Sequence, residues 1–248
     1  MSQSRSEFAA SIIARRTAQN GLYPSHDDVV RRLAEEQHLV LYAGYDPTGP
    51  NIHIGHSVGL LLLKALARDL GHSVVVLFGD FTARIGDPTG KESARRMLSE
   101  DEIADNVRTW DQQIAALFGD VPYTIKRNSE WLDAMTFTDV IKLSATVTVQ
   151  QILVRDMFQE RMKQSKPIYL NEFLYPLAQG YDSVAMRVDG EVGGLEQTFN
   201  MLVGRELEKE LLGKDKLVIG TPLIVDPKSG IKMSRSQSNE PLGKIRYF

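Results

Sequence analysis

The spacing of apolar residues at the start of the chain predicts helices. In residues 8–18 the apolar side chains recur at helical spacing, with arginines on the other face. Ser25, followed three positions later by Asp28, is typical of a capped helix start, and this second helix should run to about residue 36. We therefore expect residues 1–37 to form an N-terminal helical segment.

Two short apolar runs follow, and both are typical of buried strands. Residues 39–45 form the first run, and residues 73–79 form the second, which is rich in β-branched residues as in the central strands of parallel sheets. Between them, residues 53–70 have the pattern of a helix that Gly71 ends. This order predicts a strand–helix–strand unit with a right-handed crossover.

The rest of the chain continues the alternation. In order, the pattern predicts a polar loop (80–96), a helix (99–118), a strand (123–126), helical segments (138–163 and 171–183), a strand (184–188), a helix (198–212) and a strand (216–220). One exposed helix face is predicted from charged residues that pair at helical spacing: Arg205, Glu206, Glu208, Lys209 and Glu210. The alternation predicts an α/β fold of the Rossmann-like kind, with a parallel sheet flanked by helices and ligands at the carboxyl ends of the strands.

Composition narrows the class of protein. Of 248 residues, 42% are hydrophobic and 25% charged, as in ordinary soluble globular proteins, and the net charge of −3 weighs against a dedicated nucleic-acid-binding module. The chain has no cysteine, which excludes disulfides, thiolate metal sites and a cysteine nucleophile. The polar N-terminus is unlike a secretory signal, and the longest apolar run, residues 58–63, is too short for a membrane span.

A motif at the predicted start of a helix suggests phosphate binding. Residues 53–56 read HIGH, so His53 and His56 would stand in the first turn, where free backbone N–H groups and the helix dipole attract phosphate. Gly55 has no side chain and would let a flat base lie against the backbone. Taken alone, the motif also fits two surface histidines near a helix cap.

Two further segments give the motif a context. Residues 42–48 (YAGYDPT) precede it, and residues 232–236 (KMSRS) stand near the end of the chain. KMSRS alone could be a solvated basic loop. An early HIGH and a late KMSKS-like loop around an α/β alternation resemble the class I aminoacyl-tRNA synthetases.

The middle of the chain resembles one family within that class. Residues 85–91 (IGDPTGK) are not a Walker A loop, because only three residues separate Gly86 from Gly90 and Glu92 stands where a Ser or Thr would hold Mg²⁺. They do resemble a segment of the tyrosyl-tRNA synthetases.

Other segments extend this resemblance in the same order along the chain. Residues 79–82 (GDFT) and 175–182 (YPLAQGYD) also resemble tyrosyl-tRNA synthetases, and the likeness spans residues 41–236. Tryptophanyl-tRNA synthetases, the nearest relatives, differ in the strand-loop sequence.

A polar helix face is the second sign of a substrate pocket. Tyr175, Gln179 and Asp182 are spaced i, i+4 and i+7, so they share one face of the predicted helix. That face could be solvated, or it could line a polar pocket in which Asp182 and Tyr42 bind a substrate hydroxyl.

The resemblance implies roles for individual residues. For the tyrosine substrate it implies Tyr42 and Asp182 at the hydroxyl, Asp87, Tyr175 and Gln179 at the α-ammonium with Thr82 nearby, and Gln197 near the carboxylate. For ATP it implies Gly44, Asp46, Thr48, His53, Gly55, His56, Gly194, Glu196, Lys232 and Ser234. Catalytic roles fall to His53 and His56 and to cations around the pyrophosphate: Lys91, Arg95, Lys232 and Arg235.

The resemblance also implies the reaction and its partners. Expected substrates are L-tyrosine, ATP with Mg²⁺ on its phosphates, and tRNA(Tyr), and no metal bound by protein side chains alone is expected. Catalysis would rest on positioning and on stabilisation of the leaving pyrophosphate. These enzymes are typically cytoplasmic homodimers, and the 138–162 segment could pack a second subunit.

The chain departs from the family pattern in three places. Leu195 and Glu196 stand where the family has a small hydroxyl residue and an Asp, and Arg235 replaces a lysine. Because the sequence stops at Phe248, we also expect no anticodon-binding domain like the one that relatives carry. We expect a catalytic domain in residues 38–230 with an inserted helical region at about 120–170, and a KMSKS-like loop with a shortened end in residues 231–248.

Three other functions fit parts of the pattern. A nucleotidyltransferase also uses an HxGH site, but usually with a different late motif. An adenylate-forming paralogue would pass tyrosine to an acceptor other than tRNA. A non-catalytic paralogue that binds RNA or a partner would be expected to have lost some of His53, His56, Asp87, Asp182 and Lys232, all of which are present.

Overall fold

The computed structural model describes residues 2–89 and 98–226. Within these ranges the helices are α1 (Ser2–Arg16), α2 (His26–Glu35), α3 (Ile54–Leu70), α4 (Thr82–Ile85), α5 (Glu100–Phe118), α6 (Ser129–Leu132), α7 (Phe137–Ser144), α8 (Val149–Leu153), α9 (Asp156–Lys163), α10 (Leu170–Met186) and α11 (Thr198–Leu212). The strands are β1 (Leu22–Tyr23), β2 (Val40–Tyr45), β3 (Ser73–Phe78), β4 (Thr124–Arg127), β5 (Gly190–Gly194) and β6 (Leu217–Thr221). No helix in the described ranges has both the length and the apolar character needed to cross a membrane.

The strands form one six-stranded sheet in the order β1-β6-β5-β2-β3-β4. Neighbours from β6 to β4 are parallel, which confirms the predicted sheet, whereas the short edge strand β1 pairs antiparallel with β6 and was not predicted. The chain passes from β2 to β3 on one side and places β5 and β6 on the other. The order therefore reverses between β2 and β5, and such a switch point is where α/β folds bind ligands.

Each face of the sheet is covered by a different set of helices. On one face, Leu41 and Val76 pack with residues of α1, α2, α3 and α5 in the main core. On the other face, Tyr42 and Leu77 pack with Val188 and Trp131 beneath the end of α10. The central strands β2 and β3 are buried on both faces, as their continuous apolar runs predicted.

Local capping signals predicted several helix ends correctly. The Oγ of Ser25 accepts a hydrogen bond from the N–H of Asp28 at 3.1 Å and caps α2. Gly71 adopts φ +71° at the end of α3, a left-handed conformation that glycine reaches without strain. The predicted bounds of α11 agree with the structure at both ends.

The prediction of a strand at residues 184–188 is wrong. Helix α10 continues to Met186, because Leu174, Leu177, Tyr181 and Val184 keep helical spacing and pack in one cluster. The strand instead begins at Gly190, after the left-handed residue that caps α10.

Two further segments differ from their predicted form. Residues 138–163 form three short helices instead of one continuous helical stretch, because Thr148 caps a new helix with Gln151 in a capping box. The predicted loop at residues 80–96 contains the short helix α4 in its described part.

The predicted exposed face of α11 is only partly exposed. Glu206, Lys209 and Glu210 face solvent, but Glu208 is fully buried and the side chain of Arg205 is largely covered, where it pairs with Asp215. Glu208 follows the buried Leu207 on the side of α11 that faces the protein interior. Charge alone therefore gave the wrong orientation for that residue.

Candidate active site

The predicted site residues gather at the carboxyl ends of the central strands. Asp46 directly follows β2, Thr82 begins α4 after β3, and Gln197 stands just after β5. Helix α10 passes over these ends and adds Tyr175 and Gln179. The cluster lies at the switch point of the sheet, where the fold predicts a ligand site.

Asp46 joins two of these elements. Its Oδ1 accepts a hydrogen bond from the Oγ1 of Thr82 at 2.6 Å, and its Oδ2 accepts one from the Oη of Tyr175 at 3.0 Å. Gly79 lies directly beneath, so close that a Cβ there would overlap both Asp46 and Thr82. The glycine is required here by the close approach of the carboxylate to the backbone.

Asp182 is a buried carboxylate held by two N–H donors. Its Oδ1 accepts from the Nε1 of Trp131 at 2.8 Å, and its Oδ2 accepts from the Nδ2 of Asn128 at 3.3 Å. Asn128 also donates to Thr82 and accepts from the backbone N–H of Phe81. Burial raises the pKa of Asp182 well above its ordinary value, and the two hydrogen bonds oppose that rise.

Tyr42 lies next to Asp182 at the base of the cluster. Its ring is fully buried, and its Oη lies 2.9 Å from the Oγ of Ser183. Burial raises the pKa of Tyr42, and the nearby charges of Glu191 and Asp182 raise it further. The structure thus brings the two residues predicted at a substrate hydroxyl into one electrostatic environment.

A line of amide side chains leads from Glu191, near Tyr42, to Asp87. Gln179 donates to Glu191 at 3.1 Å, and Asn200 donates to both Gln179 and Gln197 at 2.9 Å. Gln197 in turn donates to the Oδ2 of Asp87 at 2.8 Å. Asp87 and Gln179, predicted at the α-ammonium, therefore share one hydrogen-bond network with Gln197, predicted near the carboxylate, whereas Tyr175 and Thr82 bond to Asp46.

Asp87 is also tied to the helical region on its other side. Its Oδ1 accepts from the N–H of Thr89, and the Oγ1 of Thr89 accepts from Arg155 at 2.8 Å. The Arg155 guanidinium lies 4.7 Å from the ring centroid of Phe199, and burial lowers its pKa. Arg155 was not predicted as a site residue.

The two histidines of the HIGH motif stand at a helix N-terminus, as predicted. His53 is the N-cap of α3, and its Nδ1 accepts from the N–H of Gly55 at 3.1 Å. The Nδ1 of His56 accepts from the N–H of His53, and the two rings stack with centroids 3.7 Å apart. His56 also lies against the buried Trp110. The arrangement places both imidazoles at the positive end of the α3 dipole, where the N–H groups of His53 and Gly55 donate to imidazole nitrogens.

The remaining predicted nucleotide residues lie at the carboxyl ends of β2 and β5. Gly44 is exposed on β2, and the N–H of Thr48 donates to the carbonyl of Asp46. Glu196 lies in a short 3-10 helix after β5 and folds back over Gly194, where a Cβ would overlap its carboxylate. The glycine thus accommodates the longer acid at this position.

Five predicted residues lie outside the described ranges: Lys91, Arg95, Lys232, Ser234 and Arg235. In the described ranges, no three His, Asp or Glu side chains group as metal ligands would.

Several polar residues of the site could not be recognised from the sequence. They are Asn128, Trp131, Ser183, Glu191, Asn200 and Lys216. One signal was available for Asn128, because it directly follows β4 as Asp46 follows β2. Glu191 carries another, since a charged residue within a glycine-rich buried strand is unusual.

Comparison with known proteins gives a family match over most of the chain. The family described as "tRNA synthetases class I (W and Y)" matches residues 34–247. The tyrosine–tRNA ligase of Thermotoga maritima is 43% identical over 215 residues, which are 87% of this chain and 53% of that protein. The tyrosine–tRNA ligase of Methylococcus capsulatus is 45% identical over 214 residues, 86% of this chain and 53% of that protein. The chain therefore spans about half the length of these curated relatives.

Solved structures share the fold at lower sequence identity. A C-terminally truncated mitochondrial tyrosyl-tRNA synthetase of Coccidioides posadasii superposes with a TM-score of 0.76 at 23% identity, covering 92% of this chain and 71% of that one. The tyrosyl-tRNA synthetase of Aeropyrum pernix gives 0.72 at 24% identity, covering 94% and 66%. At these identities, the likenesses show that the fold is shared and nothing further.

Proposed function

Because the chain belongs to the class I tRNA synthetases (W and Y), we propose that it activates L-tyrosine with ATP and transfers the tyrosyl group to tRNA(Tyr). The family covers two amino acids, so the choice between them depends on the base of the pocket. The high identity to tyrosine–tRNA ligases over most of this chain supports tyrosine.

The observation that carries tyrosine is the buried carboxylate of Asp182 beside Tyr42. Each oxygen of Asp182 accepts one N–H and retains a second acceptor position for a substrate hydroxyl. A phenol placed between the two residues would donate a hydrogen bond to Asp182 and form another with Tyr42. Phenylalanine cannot, and it would leave a buried carboxylate short of a donor, which costs about 1–3 kcal/mol.

The amino acid's charged end would meet the other half of the network. We assign its α-ammonium to Asp87, Tyr175 and Gln179 with Thr82 nearby, and its carboxylate to the vicinity of Gln197. The hydrogen bonds of these side chains support the assignment, since Gln197 is fixed on Asp87 and both Tyr175 and Thr82 are fixed on Asp46 before a substrate binds.

ATP would bind above, along β2 and the start of α3. Its groups are assigned to Gly44, Asp46, Thr48, His53, Gly55, His56, Gly194 and Glu196. The positive end of the dipole at the start of α3 and the two imidazoles there favour its phosphates. We expect the magnesium ion to arrive with ATP, held by phosphate oxygens and water.

The chemical step needs no nucleophile from the protein. An oxygen of the tyrosine carboxylate attacks the α-phosphorus in line, and the bond to the β-phosphate oxygen breaks as pyrophosphate leaves. Cations at Lys91, Arg95, Lys232 and Arg235 are assigned to the pyrophosphate, together with Ser234. A hydroxyl of the terminal adenosine of the tRNA then attacks the activated carbonyl, and AMP leaves.

The test is amino-acid-dependent ATP–pyrophosphate exchange with tyrosine, phenylalanine and tryptophan. We expect exchange with tyrosine, and Asp182→Asn should raise the KM for tyrosine and bring it close to that for phenylalanine. Glu172→Gln is the matched control, because it also neutralises a buried carboxylate of α10 but outside the site. Exchange with tryptophan alone, or discrimination that survives Asp182→Asn, would refute the assignment.

Transfer to tRNA is tested separately, because the chain spans about half of its relatives. Charging of tRNA(Tyr) by the chain in the presence of tyrosine and ATP is the expected result. Exchange without charging, under conditions where a full-length relative charges the same tRNA, would favour an adenylate-forming paralogue with another acceptor. The proposed activity would take place in the cytoplasm.

We also propose that the chain forms a homodimer through α7–α9 and the start of α10. These helices pack together, yet they leave large apolar side chains in solvent, among them Phe137 at 80%, Val154 at 66% and Leu170 at 74% exposure. Exposed apolar side chains grouped in one region mark interaction surfaces. Sedimentation at micromolar concentration should give a dimer that Phe137→Glu dissociates, and a monomeric unmodified chain would contradict this.

A further inference from the structure

A buried ion pair lies behind Tyr42, and the proposed reaction assigns no role to it. Lys216, immediately before β6, is fully buried, and its Nζ contacts the carboxylate of Glu191 and lies 2.6 Å from the Oγ of Ser183. Burying two charges costs several kcal/mol per ion, so such a pair is weak evidence for a stabilising role. Its position against the substrate pocket suggests a functional role.

The fold leaves a dedicated space for this ammonium group. Helices α10 and α11 cross at Gly180 and Gly204, where the two backbones touch. A Cβ at Gly204 would lie 2.7 Å from the Nζ of Lys216 and 3.1 Å from the Oγ of Ser183. The glycines at this crossing therefore leave room for the Nζ of Lys216 to reach Ser183.

The chemistry of lysine fixes the direction of the two hydrogen bonds that Lys216 makes. A lysine ammonium only donates, so Ser183 and Glu191 both accept from Lys216. Glu191 accepts a further hydrogen bond from Gln179. The Oγ of Ser183 is 2.9 Å from the Oη of Tyr42 and 3.5 Å from the carboxylate of Glu191, so the serine that Lys216 holds is also hydrogen-bonded to the phenol of Tyr42. Ser183 therefore links the buried ammonium to the hydroxyl of Tyr42.

We propose that Lys216 is a positioning residue that, through Ser183, holds the hydroxyl of Tyr42 in place beside Asp182 at the base of the pocket. With Tyr42 held there, its hydroxyl and the carboxylate of Asp182 together meet the phenol of the substrate. This inference rests on the proposed function and deepens it by assigning the residues that set tyrosine specificity from behind the pocket.

Two variants test the relay. Ser183→Ala removes the relay but keeps the ion pair, and the double variant Lys216→Met/Glu191→Gln removes both charges so that neither is left buried alone. In ATP–pyrophosphate exchange, we expect each to raise the KM for tyrosine about five- to tenfold, the loss of one net hydrogen bond. For Ser183→Ala, the kcat for tyrosine, the kcat/KM for phenylalanine and the KM for ATP should not change.

The control separates this effect from general destabilisation. Glu172→Gln loses a buried ion pair of the same helix and should leave the tyrosine-to-phenylalanine ratio unchanged. If the double variant fails to fold, Ser183→Ala decides alone. A ratio within twofold of the unmodified chain in a folded variant overturns the relay. Absence of tyrosine exchange in the unmodified chain overturns the proposed function itself and is seen before any variant is made.

Discussion

Glu208 is a buried carboxylate whose charge the fold does not satisfy. It lies on α11 with no exposed surface, and neither of its oxygens has a hydrogen-bond partner among the described residues. Burial raises the pKa of Glu208 from 4.5 to about 7, although Lys216 and Lys214 lie near enough to oppose the rise. Near neutral pH the folded protein therefore holds a proton there that the unfolded chain has released.

The sign of the effect on stability follows from this difference. A group that binds its proton more tightly in the folded state costs nothing below pH 4.5. Its cost grows as the pH rises toward 7. The unfolded chain loses the proton freely in this range, whereas the folded protein must either keep the proton or bury the charge. At about 1.4 kcal/mol per pKa unit, the shift from 4.5 to about 7 costs about 3 kcal/mol above pH 8.

Glu208→Gln removes the ionisation and keeps the shape. Its buried amide lacks partners too, which costs about 1–3 kcal/mol at every pH. We expect the variant to be no more stable than the unmodified chain at pH 5 and to gain on it by about 2–3 kcal/mol between pH 5 and 8.5.

Urea unfolding followed by tryptophan fluorescence measures this difference directly. The free energies of unfolding of the two proteins are compared from pH 5 to 8.5, so that the titrations they share cancel. Glu206→Gln is the control, because Glu206 is exposed on the same helix and its substitution should give no pH-dependent difference. A constant difference between Glu208→Gln and the unmodified chain would refute the reasoning.

Three other substitutions have defined outcomes. Gly79→Ala should displace the carboxylate of Asp46 and lower the kcat of ATP–pyrophosphate exchange about a hundredfold, whereas a loss under twofold would contradict the close packing seen there. Asn128→Asp places a second carboxylate beside Asp182. The KM for tyrosine should therefore rise about tenfold or more, while the KM for ATP stays constant. Equal changes in both KM values would point to a general defect. Arg161→Met leaves the buried carboxylate of Glu172 without its cation. The free energy of unfolding, measured in urea, should fall by about 3–5 kcal/mol. A loss under about 1 kcal/mol would show that the pair is not truly buried.

Local patterns predicted what depends on neighbours in the sequence. Helical spacing placed Tyr175, Gln179 and Asp182 together, the residue pattern gave the start of α3 near His53, and the glycine signal gave its end at Gly71. These features depend on residues a few positions apart, which a sequence displays directly.

Features that depend on distant residues could not be predicted in this way. Asn128 meets Asp182 across 54 positions, and Lys216 meets Glu191 across 25, so only the folded sheet brings them together. Glu208 was misjudged for the same reason, since a charged residue on a helix usually faces solvent. The division of the chain into domains and the roles of individual site residues stay predictions.

The glycine crossing of α10 and α11 has a consequence for sequence variation. The Nζ of Lys216 occupies the volume that any side chain at position 204 would take, and position 180 faces the same backbone contact. A Cβ at position 204 would displace the ammonium and crowd Ser183 and the backbone of Gly180, and a shorter residue at position 216 would relieve the first and closest of these contacts. Across related chains, lysine at position 216 should therefore co-vary with glycine at position 204, and lineages that lose the glycine should lose the lysine first.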